Sequence, residues 1–291
     1  MNGTLDGKVV LITGAARGIG EQVARMVAAR GARVAAVGLE PERLAALVAE
    51  LGDRHAWAEC DVTDQAGLDR AVGDVVARLG GIDVVVANAG VAGYGTVAVA
   101  PPDVLARTVE VNLIGVMRTV SATLPEVLAR RGYLLLVSSV AAFSVLPGLA
   151  AYAAAKAGVE QFGNVLRLEV AHRGVAVGTA HPIWIDTDLV RDAREDLGND
   201  RRLPGPLGRT YSVEQCATAL VRGIERRQRR VFVPRSMALM QAARILVQSS
   251  FGDLLLRGPA RTAVPELEQR VQELGRSFGQ HSVAQSPRSR P

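Results

Sequence analysis

Short, nearly unbroken apolar runs recur along the chain, separated by longer stretches of helical period. The runs fall at residues 8–13, 33–37, 56–61, 83–87, 133–138, 175–180 and 231–233. Most lack alternating polar positions, the pattern of strands covered on both faces. Between them, residues 18–30, 65–79, 102–130 and 150–173 carry apolar side chains at helical spacing. Strand–helix alternation demands parallel pairing through right-handed crossovers, so the chain is expected to form an α/β fold with a doubly wound parallel sheet. No internal repeat of fixed period is visible.

Two segments break the alternation. Residues 183–209 are rich in charge, Pro and Gly and follow the sixth strand, where such a sheet carries a substrate loop. After residue 235 comes an extension that begins "SMALMQAARILVQSSFGDLLLRG", with a short charged segment at 264–274. The chain thus divides into one domain at 1–235, a C-terminal helical extension at 236–274 and a polar tail at 275–291, expected to be disordered. The amphipathic stretch 237–256 lies beside the arginine cluster 222–235. It is expected to pack on the sheet, cover the pocket or extend a subunit interface, with an anionic membrane surface as the alternative.

Composition narrows the classes. With 48% apolar and 22% charged residues, the 291-residue chain reads as soluble and globular. The net charge of +5 has a local source in "VRGIERRQRRVFVPR" and "SPRSRP", and no aromatics interleave with those arginines. A solvated helix face is expected there, and no nucleic-acid partner. Two cysteines and four scattered histidines indicate neither a disulfide framework nor a metal site. The start "MNGTLDGKVVLITG" lacks the features of a secretory signal, and no run approaches the length of a spanning helix, so a cytoplasmic location is expected.

The chemistry begins in "VVLITGAARGIGEQVARMVAARGARVAAV", which places Gly14, Gly18 and Gly20 between a buried strand and an amphipathic helix. Glycines let a backbone approach a phosphate closely, and the helix start offers free N–H donors and a positive dipole end. Strand before, helix after and a second strand about 20 residues on match a dinucleotide-binding, Rossmann-like unit. A second signal is Lys156, one of only two lysines among 34 lysines and arginines. It follows Tyr152 by four residues in an alanine-rich helical stretch, with Ser139 thirteen residues before the tyrosine.

The spacing TGxxxGxG from Thr13 to Gly20 resembles that of the short-chain dehydrogenase/reductase family, and the resemblance covers about residues 5 to 235. "DVTD", with Asp61 and Val62, looks like the family's adenine-contacting segment. "ANAG", with Asn88, Ala89 and Gly90, looks like its element beside the cofactor. Asn112 matches its catalytic asparagine, and Ser139, Tyr152 and Lys156 match its serine and YxxxK pair. By the same resemblance Gly14, Arg17, Gly18, Ile19, Gly20, Gly38 and Leu39 hold the cofactor, and Asn112 anchors a water that links Lys156 to solvent.

These residue types suit hydride chemistry at a carbonyl. A ketone needs a proton on oxygen as carbon receives hydride, and the donor must act as a base in reverse. A free tyrosine titrates near about 10, and a nearby cation favours its phenolate. Tyr152 and Lys156 share one helix face, and a compact ammonium fits beneath a ring oxygen better than a guanidinium fork. Ser139, at the carboxyl end of a strand, is placed to hold the carbonyl oxygen. Ser138 points to the opposite face.

The family's pattern is broken at "HPIWIDTDL". Pro182 and Thr187 match, with Ile185 between them, and by analogy these contact the nicotinamide. Ile183 replaces the usual glycine and narrows the pocket beside the ring. Trp184 is a candidate wall of the substrate site. At the end of the second strand, Gly38 and Leu39 stand where NAD users carry aspartate and many NADP users carry arginine. Arg17 and Arg43 are candidate partners for a 2′-phosphate while Glu40 opposes it, and NADP(H) is favoured over NAD(H). Val91, Tyr94, Phe143, Val145, Leu146 and Leu149 suggest an apolar pocket for a lipophilic ketone or secondary alcohol. The family implies a homo-oligomer, dimer or tetramer, through the helices at 102–130 and 150–173. The alternatives are a non-redox enzyme or a non-catalytic cofactor-binding protein on the same scaffold.

Overall fold

The structure, a computed structural model, describes residues 4–197, 208–279 and 282. Seven strands form one parallel sheet: β1 (Val9–Thr13), β2 (Arg33–Gly38), β3 (Ala56–Glu59), β4 (Val84–Ala87), β5 (Tyr133–Val137), β6 (Ala176–Pro182) and β7 (Arg230–Val233). Their spatial order is β3-β2-β1-β4-β5-β6-β7. The chain winds outward from β1 to β3, returns to β4 beside β1, and winds outward the other way. That reversal leaves a crevice at the carboxyl ends of β1 and β4, where open α/β sheets take their ligands.

The central strands send alternate residues into two apolar layers, while the edge strand β3 reaches only one. Val10, Ile12, Val34, Ala36, Val86 and Leu135 meet helices α1 (Gly18–Ala28), α2 (Pro41–Leu51) and α8 (Val213–Glu225) on one face. Val9, Leu11, Ala35, Val37, Val85 and Leu136 meet α3 (Gln65–Leu79), α5 (Gly115–Ala129) and α6 (Ala150–Ala171) on the other. Because both faces are covered, the central strands have no polar face to alternate with, which is why they read as continuous apolar runs. At the opposite edge, the Asp83 carboxylate accepts from the Val9 N–H at 2.9 Å and from the Lys8 ammonium at 3.0 Å, tying β1 to the start of β4.

The helix expected over 102–130 is interrupted. α4 (Pro102–Val109) and α5 are joined by a π turn at Glu110–Ile114, in which the Gly115 N–H reaches back five residues to the Glu110 carbonyl. The Asn112 side chain engages the ladder at this turn: its Nδ2 donates to the Thr108 carbonyl at 2.8 Å. The segment expected as a helical extension, 236–274, consists of three helices. α9 (Met237–Ala242) and α10 (Arg244–Val247) lead into one long helix, α11 (Ser250–Leu274), which absorbs the charged segment at 264–274. α9 packs through Met237 and Met240 onto Val140, Phe143, Ile183 and Phe232. Residues 275–279, assigned to the tail by sequence, dock on the loop after β4: the Tyr94 N–H donates to the Ser277 carbonyl at 2.8 Å, and Gly93 bridges Phe278. α7 (Asp188–Leu197) occupies the first part of the expected substrate loop, and 198–207 lie outside the described residues.

Cys60 and Cys216 are buried, separate thiols that burial pushes up to about 11 and 12, away from reactive thiolate character. His181 is also buried, stacked on Phe232 at 5.2 Å between ring centroids and tilted against Phe143 at 5.6 Å. Burial pushes its imidazole down to about 4. His55, buried beside β2, is lowered for the same reason. The unfolded imidazole takes its proton near about 6.5, so stability is full above that pH and is lost as pH falls towards 4, by at most roughly 1.4 kcal/mol per unit for each histidine. Urea denaturation at stepped pH should show this slope. His181→Phe, which keeps a ring in place but cannot bind a proton, should flatten part of it.

Candidate active site

The glycine turn is built by close packing. Gly14 and Gly18 have φ of +65° and +56°, in the left-handed region that favours glycine. A Cβ on Gly20 would stand 2.2 Å from the Gly14 carbonyl oxygen and 2.8 Å from Asn88 Nδ2. Asn88 binds the turn from β4, its Nδ2 donating to the Thr13 and Gly14 carbonyls at 3.1 and 3.2 Å. The Thr13 hydroxyl in turn accepts from the backbone N–H groups of Asn88 and Ala89. Arg17 precedes α1 in extended conformation with no side-chain cap, so the first N–H groups of that helix point at the crevice.

One cavity runs from this turn along the crevice. Its walls include Gly14, Arg17, Gly18, Ile19, Gly38, Leu39, Asp61, Val62, Asn88, Ala89, Gly90, Asn112, Ser139, Tyr152, Lys156, Pro182, Ile185 and Thr187. Of the residues singled out from the sequence for catalysis and cofactor binding, Gly20 and Arg43 are not in the wall; Gly20 lies beneath the turn and Arg43 stands beside Glu40. The apolar candidates fare differently. Val91 lines the cavity, whereas Tyr94, Phe143, Val145, Leu146 and Leu149 do not. Tyr94 and Phe143 are buried, Phe143 with His181 and Tyr94 with its hydroxyl on Asp196. Trp184 is also outside the wall, its carbonyl accepting from the Tyr211 N–H at 2.8 Å. Further apolar wall residues include Val111, Ile183, Leu189, Val190 and Phe278.

At the inner end, Lys156 is 3% exposed and donates to the Val137 carbonyl at 2.9 Å, with Nζ 5.6 Å from the centre of the Tyr152 ring. Burial pushes the ammonium down to about 8 and pushes the Tyr152 phenol up, an effect offset in part by a hydrogen bond with Ser139. The sequence led us to expect a cation-lowered phenol; in the structure desolvation raises it instead. The Ser139 hydroxyl accepts from the Ala141 N–H at 3.1 Å and lies 3.3 Å from the Pro182 carbonyl. Ser138 turns away, donating to the Lys156 carbonyl at 2.7 Å. Asn112 Nδ2 is held by the Val91 and Thr108 carbonyls, and its Oδ1 is buried with no partner among the described residues.

The outer end departs from expectation at Arg17. Its guanidinium is gripped by Glu40, with Nε donating at 2.8 Å, and by Asp188 at 3.2 Å. Arg43 lies 3.6 Å from the same Glu40. Asp61 is held by the Thr63 N–H and hydroxyl and by Arg107 at 3.0 Å; burial works to raise its carboxyl, but these bonds keep it below the usual carboxylate range. Arg107, Asp188 and Phe278 escaped the sequence reading. Phe278 packs against Val62, Val91 and Val111 from a segment with no motif to mark it.

The family model described as short chain dehydrogenase matches residues 8–198. The chain is 32% identical over 217 residues to the 3-oxoacyl-(acyl-carrier-protein) reductase FabG of Vibrio cholerae, covering 74% of this chain and 89% of that protein. It is 38% identical over 227 residues to the D-threitol dehydrogenase of Mycolicibacterium smegmatis, covering 75% and 85%. It is also 38% identical over 192 residues to the glycine betaine reductase ATRR of Emericella nidulans, where the match spans 65% of this chain and 15% of that much longer protein.

The residues present fit a dinucleotide: a glycine cradle with no room for a Cβ, uncapped helix donors, and a buried acceptor at Asn112 without a partner among the described residues. Gly20→Ala should therefore displace the turn and weaken NADPH binding, read by its fluorescence, at least roughly tenfold. Gly73→Ala, on an open face of α3 with nothing within 4 Å of the added carbon, should leave binding intact and stabilise by about 0.5–1 kcal/mol.

Proposed function

The chain belongs to the short-chain dehydrogenase family, and from that premise we propose that it interconverts a lipophilic ketone and the corresponding secondary alcohol with NADP(H), Tyr152 serving as general acid and base. The family's chemistry is oxidoreduction between a nicotinamide dinucleotide and a CH–OH/C=O pair. The observation that carries the reading is the convergence of Tyr152, Ser139, Lys156 and Asn112 at the inner end of the cavity that begins at the glycine turn.

A nicotinamide bound along the crevice supplies or accepts the hydride. The chain's own groups handle the proton. Burial keeps Tyr152 protonated at neutral pH, so its hydroxyl is ready to donate to a carbonyl oxygen. Ser139, whose hydroxyl bonds to the same tyrosine, orients that oxygen beside it. Lys156 is held against the end of β5 by the Val137 carbonyl, close enough for its charge to stabilise the phenolate that donation leaves. The Oδ1 of Asn112 is the acceptor at which a water can be held, through which a proton from solvent passes by way of Lys156 to the phenolate and restores the phenol.

The preference for NADP(H) is supported by the absence of a carboxylate at Gly38 and by the presence of two guanidiniums, Arg17 and Arg43, around the single Glu40. A 2′-phosphate would draw both away from it. The apolar wall formed by Ile183, Leu189 and Val190 supports a lipophilic substrate. Val165 and Leu168, 46% and 66% exposed on α6, support association of copies through that helix. We place the enzyme in the cytoplasm.

The decisive assay follows nicotinamide absorbance with NADPH or NADH against aliphatic, aromatic and steroid-like ketones. Tyr152→Phe should cost about 10²–10⁴ in kcat with cofactor binding retained. Retained turnover in that variant, or a preference for small anionic keto acids, would refute the reading. Because the Lys156 ammonium is present below about 8 and lost above it, reductive kcat/KM should fall as pH rises through that value. Glu40→Gln, by removing one of the two carboxylates that hold Arg17 and the one that opposes a 2′-phosphate, should raise NADPH affinity relative to NADH by about tenfold. An unchanged ratio would remove the argument for NADP(H).

A further inference from the structure

The extension carries large aliphatic side chains that the described residues leave exposed. Met237 and Met240 are used against the domain. Leu239, Ile245, Leu246, Leu254 and Leu255, in contrast, stand 61–77% exposed. They come from three helices consecutive in the chain, and α10 packs against both α9 and α11. Single exposed leucines are ordinary, but five large aliphatic side chains on one short stretch are not.

The charge around them has one sign. Residues 235–261 hold four arginines, Arg235, Arg244, Arg257 and Arg261, against one carboxylate, Asp253, a net charge of +3. Arg244 turns partly inward, 3.5 Å from the buried Glu160, while Arg235, Arg257 and Arg261 are exposed. No helix among the described residues is long and apolar enough to cross a membrane.

We propose that this face docks in the plane of an anionic lipid bilayer, with the aliphatic tips set among the acyl chains and the arginines on the headgroups. Charge decides the occupant. A second copy of the same face would bring +3 against +3 around a desolvated apolar contact, since a two-fold interface pairs a patch with itself. Anionic headgroups complement both the arginines and the aliphatic tips. Docking would also bring lipid close to the cavity, because α9 packs on Ile183, a wall residue. The inference stands on surface chemistry alone and holds whatever the substrate.

The test is sedimentation of the full chain with vesicles of phosphatidylcholine, alone or mixed with phosphatidylglycerol. Binding to the mixed vesicles is expected to be at least about tenfold tighter than to phosphatidylcholine and to weaken with salt. The variant L239S/I245S/L246S/L254S/L255S should lose at least roughly tenfold. R235Q/R257Q/R261Q should lose on the order of a hundredfold. Failure of the wild type to bind mixed vesicles overturns the proposal, as does wild-type binding by the serine variant, which would reduce the effect to general basicity. A lipid-free oligomer that the serine variant dissociates would assign the face to a second copy. Should the serine variant misfold, the wild-type comparison of the two lipids and of low and high salt decides the matter alone.

Discussion

Lys156 is an ammonium buried to 3% exposure at the carboxyl edge of a parallel sheet, and much of the site's geometry serves to hold it there. An unpaired buried charge is costly, and the lysine answers by losing basicity and by taking a carbonyl that the sheet leaves free. β5 ends at Val137, whose carbonyl accepts from Nζ, while the next residue, Ser138, spends its hydroxyl on the lysine's own carbonyl. Strand and helix are thus locked at the point where the phenol must stand. Gly90 completes the packing: a Cβ there would lie 2.7 Å from Asn112 Oδ1 and 3.6 Å from Lys156 Nζ. The same burial keeps Tyr152 protonated. Its cost to the ammonium and its use to the phenol are one physical effect.

The parts of this arrangement that were legible in the sequence share a property: their signal is local. The central strands are visible because burial on both faces leaves continuous apolar runs, whereas the edge strands β3 and β7 keep exposed or half-buried positions such as Trp57 and Glu59. The glycine turn is visible because three glycines between a strand and a helix have few other uses. The π turn was not legible, and neither was the bond from the Asn112 side chain to the Thr108 carbonyl, because nothing near Asn112 marks either. The fate of Arg17 was hidden for a related reason. Its partners, Glu40 and Asp188, lie 23 and 171 residues away, and a lone arginine in a glycine turn reads equally well as a phosphate ligand. Tyr94 and Phe143 read as pocket lining because aromatic content does not say which side of a loop faces the cavity.

Ile183 illustrates how a local departure is absorbed elsewhere. Judged by the family's pattern alone, an isoleucine in place of glycine after β6 is a disturbance beside the cavity. In the fold its side chain packs with Val140, Phe143 and Phe232, and α9 lays Met237 and Met240 on the same cluster. The bulk that narrows the cavity is also the apolar ground on which the extension docks. Substitution and extension are therefore two parts of one packing solution, and neither is interpretable without the other.

The extension then returns across the site. α11 presents Leu267 to Gly148 and Val271 to Gly95, and Glu268 takes the Thr96 hydroxyl at 2.6 Å. Beyond it Arg276 pairs with Asp196 of α7, the carboxylate that also holds the Tyr94 hydroxyl. Two loops on opposite sides of the cavity are thereby joined through a third element, and Phe278 enters the wall from that junction. A segment beyond the region matched by the family model therefore becomes part of the site's wall. The wall thus takes Phe278 from outside the family's motifs as well as Ile183, Leu189 and Val190 from the segment after β6, so the motifs alone identify the chemistry but leave the acceptor open.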